Sequence, residues 1–231
     1  MLGTASPVAA STLNSQYLLF KNLNNAELQD IAQYSRLRIR ERNQYLCMQD
    51  SPSNKVFNVV TGVAMVERIS AVGRRQVLGF VFPGDFVGLS NSRFFEYGIR
   101  CLSATSVCEF ERKELYRLSE SIPALKANLK FIRALVQQIT FDQLYMLGQM
   151  SAYERICFLI LELLERLPDA TEDYIELPMA RADIADYLGL TVETVSRSLY
   201  KLKCDSLIET PSAKSLRIVD RAELEAVASV R

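Results

Sequence analysis

No histidine occurs anywhere in the 231 residues. That one absence removes Ser-His-Asp and Cys-His nucleophilic sites, HExxH zinc sites, histidine-rich metal centres and histidine-ligated haem. Cysteine is scarce and poorly spaced for chemistry, since Cys47, Cys101, Cys108, Cys157 and Cys204 contain no C-x-x-C pair. An odd, scattered set speaks against a disulfide framework and a zinc knuckle and reads as reduced thiols. No apolar run approaches the roughly 18 residues of a membrane span, and the start has no basic stretch leading into a hydrophobic core. The expectation is a cytoplasmic chain with no membrane partner. A Gly-rich phosphate loop is also missing, as are clustered carboxylates among the β-rich runs, so neither an enzyme nor a cofactor or metal is expected. A small-molecule binding protein or enzyme stays as the disfavoured alternative.

What is present is concentrated between Met179 and Lys203. Ile184, Ala185 and Leu188 recur at helical spacing, and Gly189 can take the positive φ of a tight corner. Val195, Leu199 and Leu202 then give a second helix its apolar stripe. Two short helices around a Gly-containing turn are a helix-turn-helix. The stripe leaves Glu193, Thr194, Ser196, Arg197, Tyr200 and Lys201 facing outward. Glu, Ser and Arg at i, i+3 and i+4 put an acceptor, a hydroxyl and a bidentate donor on one face. Glutamate accepts from cytosine N4 and arginine grips guanine O6 and N7, so this face suits base edges in the major groove of double-stranded DNA. A plain surface helix with a weak Glu193–Arg197 pair is the blander reading, and it leaves the preceding helix and turn without a purpose. The candidate DNA contacts are Thr191, Val192, Glu193, Thr194, Ser196, Arg197 and Lys201, with Lys214 beyond them.

Net charge does not advertise nucleic acid: 27 basic residues balance 27 acidic ones. From Ser151 onward there are 10 basic and 15 acidic residues, against 17 and 12 before it. A nonspecific phosphate binder carries a basic excess where it binds. Placement matters more here, because Arg197, Lys201, Lys203, Lys214 and Arg217 fall in the second helix and just after it, where phosphates would be close. A specific binder with modest nonspecific affinity is expected.

The chain is long enough, and at 49% apolar rich enough, for two cores. Residues 1–15 are small, polar and uncharged, and are expected to fray. Asn24 to Gln33 starts with a capping residue and reads as a short helix. Between Ser35 and Phe110 come short β-rich runs, such as 55–60, 63–69 and 76–82, separated by turn signals at 50–54, 61–62, 72–73 and 83–85. This spacing predicts a β-roll of the jelly-roll kind. A long helix is expected after Ser119, capped near Glu120 or Ser121, with Pro123 in its first turn. On it Leu125, Leu129, Ile132, Val136, Ile139, Gln143 and Met146 alternate steps of four and three, the seam of a coiled coil, and so a candidate homodimer contact. A second row with Phe131, Leu135 and Leu147 would dock on the chain's own roll. An apolar helix at 152–167, a strand at 174–177, a hairpin at 207–219 with Lys214 near its tip and a closing helix at 221–230 complete a winged helix-turn-helix. The fold class is α+β, with a β-roll over 1–118, a dimerisation helix over 119–150 and a DNA-binding domain over 151–231.

The run Asp183-Ile-x-x-Tyr-Leu-Gly-Leu-Thr-Val-Glu-Thr-Val-Ser-Arg197 resembles the DNA-binding signature of the cyclic-AMP receptor protein and fumarate/nitrate reductase regulator superfamily, CRP/FNR for short. The Glu193-x-x-Ser196-Arg197 pattern is similar to the FNR and FixK side, whose half-sites are of the TTGA and TCAA type. The likeness runs from about Tyr17 onward. It implies a cyclic-nucleotide-binding-like sensor roll, a homodimeric transcription regulator on a palindromic operator, and RNA polymerase as a partner. Pro83-Gly-Asp-Phe-Val-Gly88 resembles the turn before the family's ligand pocket, which makes Phe86, Gly88, Leu89, Arg93 and Arg100 the candidate effector residues.

The departures from the family are specific. Cyclic-nucleotide binders carry a Phe-Gly-Glu run and an Arg-Ser or Arg-Thr pair, where glutamate accepts from ribose and arginine neutralises the phosphate. This chain has Phe86-Val-Gly-Leu and Arg100-Cys101 instead. Cyclic AMP is therefore not expected, and the effector is absent or is a small anion held by Arg93 and Arg100. Ordinary surface arginines are the favoured reading of both. Cys108 matches the barrel cysteine of the FNR iron-sulfur site, but no cysteine precedes Cys47, and one thiolate cannot hold a four-iron cluster. Cys108 and Cys204 remain as candidate redox thiols. Cys108 is expected to be buried and structural, and Cys204 sits beside two lysines that favour thiolate.

Overall fold

The computed structural model describes residues 6–7, 13 and 16–228. They divide into two compact units, one drawn from 1–73 and 79–137 and the other from 74–78 and 138–231.

The N-terminal unit is a two-sheet roll. Strands β1 (Ser6–Pro7), β2 (Ser35–Arg40), β4 (Lys55–Thr61), β7 (Phe86–Val87) and β9 (Thr105–Glu111) form one sheet in the order β1-β2-β9-β4-β7. Strands β3 (Tyr45–Cys47), β5 (Ala64–Ile69), β6 (Arg75–Val81) and β8 (Gly98–Cys101) form the other, in the order β3-β8-β5-β6. Alternation along each strand decides which core a side chain joins. Phe57, Val59 and Val107 turn to one core with Cys47, Phe95 and Ile99, while Val56, Cys108 and Phe110 turn to the other. That second core is closed by helices α1 (Asn25–Gln33), α2 (Arg112–Ser121) and the first turns of α3 (Pro123–Gln149), through Ile31, Leu115, Leu118 and Leu125. The α1 start is a capping box, with Asn24 Oδ1 accepting from the Glu27 amide at 3.0 Å and Glu27 Oε2 from the Asn24 amide at 2.8 Å. The start expected to fray lies mostly outside the described residues, yet Ser6 and Pro7 pair with Leu37 and Arg36 of β2.

Two expectations for the long helix need correcting. It begins at Pro123 rather than after Ser119, because α2 occupies 112–121 and Ile122 between them is extended, at φ −119° and ψ 95°. A residue preceding proline is pushed out of the helical region, and Pro123 supplies the first position of a new helix at no cost in hydrogen bonds. The seam also splits. Leu125, Leu129 and Ile132 are buried in the core of their own unit, and Met146 is fully buried, so these four are not open to a twin. Val136 and Ile139 are exposed and Gln143 is half-buried, while Phe131, Phe141, Leu144 and Tyr145 lie open.

In the C-terminal unit α4 (Ala152–Arg166) starts on a capping box between Ser151 and Glu154. A three-stranded sheet, β10 (Tyr174–Glu176), β12 (Ser215–Ile218) and β11 (Ile208–Ser212) in that order, is the wing. Helices α5 (Arg181–Leu188) and α6 (Val192–Cys204) lie between β10 and β11 in the chain, and α7 (Arg221–Val227) follows β12. Ile156, Ile160, Ile184, Leu188, Val195, Leu199 and Leu202 are buried, the period-3.6 faces of three helices.

Candidate DNA-reading site

The corner between α5 and α6 is made by Gly189, at φ 63° and ψ 37°, a left-handed conformation that a side chain would resist. A Cβ there would also stand 3.3 Å from Leu147 Cδ2. Two residues on, Thr191 caps α6 by accepting the Thr194 amide at 3.2 Å, a bond worth about 1 kcal/mol. With Val195, Ser198, Leu199 and Leu202 turned inward, Thr191, Val192, Glu193, Ser196, Arg197 and Lys201 are left exposed and Thr194 half-buried. The sequence-derived reading face therefore forms as one surface.

Its electrostatics suit base edges. The Glu193 carboxyl is held below its ordinary value by its own backbone amide, by the Thr191 hydroxyl and by the nearby Arg197 charge. It stays an ionised acceptor at neutral pH, as a cytosine amino group requires. Arg197 Nη2 donates to Thr194 Oγ1 at 3.4 Å, which leaves most of its fork free to face outward. Ser196 is turned back, its hydroxyl donating to the Val192 carbonyl at 2.9 Å.

The expected phosphate contacts sort less evenly. Lys214 is exposed at the turn between β11 and β12, its amide donating to Ser212 Oγ at 3.1 Å. Lys201 holds its ammonium 4.7 Å from the centre of the Tyr153 ring, and Tyr153 donates in turn to Asp205 at 2.7 Å. Arg217 is a correction: Asp173 and Glu209 flank it at 3.8 and 3.5 Å, so neighbouring acids already meet its charge. Sequence reasoning missed Arg181. It opens α5, donates through Nη2 to the Ala213 carbonyl at 3.1 Å, and keeps a buried Nη1 without a hydrogen-bond partner among the described residues. Burial without a matching anion lowers its pKa. The clue in the sequence was a cation at the start of a helix, where the dipole gives it no reason to be.

Also unforeseen is Arg75, from the 74–78 segment that belongs to this unit. Its Nη1 lies 2.9 Å from Asp183 Oδ1 and its Nη2 2.6 Å from Asp186 Oδ2, both on α5, and Gln76 donates to the Asp186 carbonyl. Asp183 also accepts from the Ala180 amide at 3.0 Å, which caps α5.

The candidate effector residues do not converge on an anion. Phe86 is buried and Leu89 packs on the helix-side core. Gly88, at φ 94°, brings its backbone close enough to Val56 that a Cβ would stand 3.1 Å from Val56 Cα. Arg93 is exposed, and Arg100 faces the buried Glu67 at 3.4 Å while donating to Asn43 Oδ1 at 2.9 Å. Tyr45 donates to the same Glu67 carboxylate. Cys108 is fully buried, as expected of a structural thiol, and desolvation pushes its pKa up to about 12, which argues against the redox alternative. Cys204 is exposed at the end of α6.

Residues 154–227 match the Crp-like helix-turn-helix domain and residues 37–121 the cyclic nucleotide-binding domain. The nitrogen fixation regulation protein FixK of Bradyrhizobium diazoefficiens is 34% identical over 212 residues, 90% of this chain and 88% of that one. The chain belongs to the CRP/FNR family. A second member, the transcriptional activatory protein AadR of Rhodopseudomonas palustris, is 31% identical over 89% of this chain and 85% of its own length. The solved structure of FixK2 from Bradyrhizobium japonicum superimposes with a TM-score of 0.80 at 29% identity, covering 85% of this chain and 98% of that one. Like these CRP/FNR proteins, the chain is a transcription regulator, with its DNA-binding helix-turn-helix following a cyclic-nucleotide-binding-type roll in the sequence. No helix among the described residues is long and apolar enough to cross a membrane.

Proposed function

We propose that this regulator acts as a homodimer on a palindromic operator with TTGA and TCAA half-sites, and that it does so without a small-molecule effector. The observation that carries the reading is the α6 face: an ionised Glu193 one turn from an outward Arg197, on a helix whose start is fixed by the Thr191 cap. In each half-site Glu193 and Arg197 read one C·G pair, the acceptor on cytosine and the fork on guanine. Arg181 and Lys214 take phosphates, which set the register without reading sequence. Two α6 helices placed by a two-fold axis read half-sites one turn of DNA apart, roughly 34 Å.

Dimerisation uses the part of α3 that its own unit leaves bare: Val136, Ile139, Phe141, Leu144 and Tyr145, all exposed. A run of large apolar side chains on one helix is costly to leave in water and is what a partner helix would cover. Independence from an effector is supported by Arg100, which already has the Glu67 carboxylate in place of a ligand anion. RNA polymerase is the partner that a transcription activator of this kind would engage. A gel shift tests the reading: tight, competitor-resistant binding to a TTGA/TCAA palindrome without added ligand is expected. Equal affinity for a scrambled duplex would overturn it.

A further inference from the structure

Arg155 stands where a helix does not want it. It lies in the first turn of α4, just after the Ser151–Glu154 capping box, where the positive end of the helix dipole repels a cation. Its charge is used elsewhere. Nε donates to the Met150 carbonyl at 2.9 Å, Nη2 to the Leu147 carbonyl at 2.9 Å, and Nη1 to the Leu188 carbonyl at 2.7 Å. Leu147 is in the last turn of α3, Met150 follows its end, and Leu188 is the last residue of α5. Carbonyls at the end of a helix have no acceptor role within it and gather at the negative end of its dipole. One planar guanidinium thus serves the carboxyl ends of two helices, and the geometry of its fork dictates how they meet. The helix-turn-helix corner is packed on the same joint, since a Cβ on Gly189 would lie 3.6 Å from Arg155 Nη1.

We infer that Arg155 is a positioning residue for DNA reading: it locks the end of α3 to the helix-turn-helix corner and so fixes the half-site spacing that a pair of α6 helices can span. Arg155 touches no base in this scheme. It acts by holding the angle between the helix that dimerises and the helix that reads. This rests on the homodimeric operator reading given above. A residue that merely stabilised the C-terminal unit would lower its melting temperature and leave spacing preference alone. A joint residue changes the preference itself. Lysine cannot replace it, because a single ammonium lacks the fixed fork that meets three carbonyls at once.

The test uses the full-length protein and a series of operators whose half-sites are moved together or apart by one or two base pairs. Affinities are measured by fluorescence anisotropy for wild type, Arg155→Lys and Arg155→Gln, with melting curves to confirm that each is folded at the assay temperature. Wild type is expected to favour one spacing by about tenfold over its neighbours, as a rigid two-fold pair should. Arg155→Gln is expected to flatten that preference to about twofold or to move its optimum, with isolated half-site binding unchanged. Arg155→Lys should fall between the two, and it carries the test if the glutamine variant melts too low. A folded variant that keeps the wild-type spacing profile overturns the inference. A wild type with no spacing preference overturns the homodimeric reading beneath it.

Discussion

Arg100 in the roll and Arg197 and Arg181 in the C-terminal unit are treated in opposite ways. In the roll, Arg100 is set against the buried Glu67, and Arg38 and Lys55 converge on the buried Glu109 at 3.6 and 2.8 Å. In the C-terminal unit, among the described residues, Arg197 hydrogen-bonds a neighbouring hydroxyl and Arg181 keeps a buried nitrogen with no partner. A desolvated cation is stable when a carboxylate neutralises it, and it is poised for an incoming anion when none does. At these sites the roll has closed its charges on itself, whereas Arg197 and Arg181 stay open, even though Arg75 and Arg217 of the same unit are met by acids. Among the thiols, Cys47, Cys101 and Cys108 of the roll and Cys157 of α4 are buried, and Cys204 on α6 is exposed.

The largest effect should come from α3. Ile139→Glu puts a charge on both sides of the two-fold axis, so dimerisation and operator binding should be lost together, as sedimentation and gel shift would report. Leu129→Glu should behave differently, lowering the melting temperature of the roll, because Leu129 belongs to its core. A dimer that survives Ile139→Glu would move the interface off this helix.

Next in size is the internal ion pair. Arg100→Ala removes the cation facing the buried Glu67 carboxylate, which keeps the Tyr45 hydroxyl, so the cost should lie below the about 3–5 kcal/mol of a buried pair broken from one side. Thermal melting should show the loss, while operator affinity below the transition stays at the wild-type level. A gain of ligand response or a large drop in affinity would mean that the roll gates DNA binding after all.

On the open side, Arg197→Ala should cost about 1–3 kcal/mol per half-site and flatten preference at one base pair, leaving the fold intact. Lys214→Ala should weaken every sequence alike and reduce the salt slope by about 1. Equal losses on specific and random DNA for Arg197→Ala would remove it from base reading. The smallest effect is chemical. At pH 8 a maleimide should label Cys204 first in the folded protein, since burial pushes Cys47, Cys108 and Cys157 up to about 12 and keeps them protonated. Peroxide should then weaken operator binding in wild type and spare Cys204→Ser, because a sulfinate on α6 repels phosphate. Labelling spread over all the cysteines would erase the contrast between Cys204 and the buried thiols.

How much of this was legible follows from what each signal encodes. Residues 183–202 declared both helices and their corner, because the apolar period and Gly189 are both local signals. The strands at 55–61 and 64–69 were equally plain from their short β-rich runs between turns. The seam on α3 was read with the right period and the wrong cover: spacing says that Leu125 and Ile139 share a face, and cannot say that one meets its own roll while the other is bare. Arg155, Arg181 and Arg75 were missed because their meaning lies in partners 33, 32 and 111 residues away. Their oddity was visible only as cations near helix starts or in a hairpin, which is too weak a sign without coordinates.

Arg75 gives the C-terminal unit an unusual grammar. Five residues written near the first third of the chain, 74–78, complete a body whose other part begins at 138. No single cut in the gene yields it whole. A fragment starting at 138 would keep Asp183 and Asp186 side by side on α5 without the guanidinium that neutralises them, and the capping carboxylate would sit next to a like charge. During synthesis the helix-turn-helix emerges long after the 74–78 segment onto which it closes. The unit that reads DNA is therefore finished only in a chain whose earlier half is already in place.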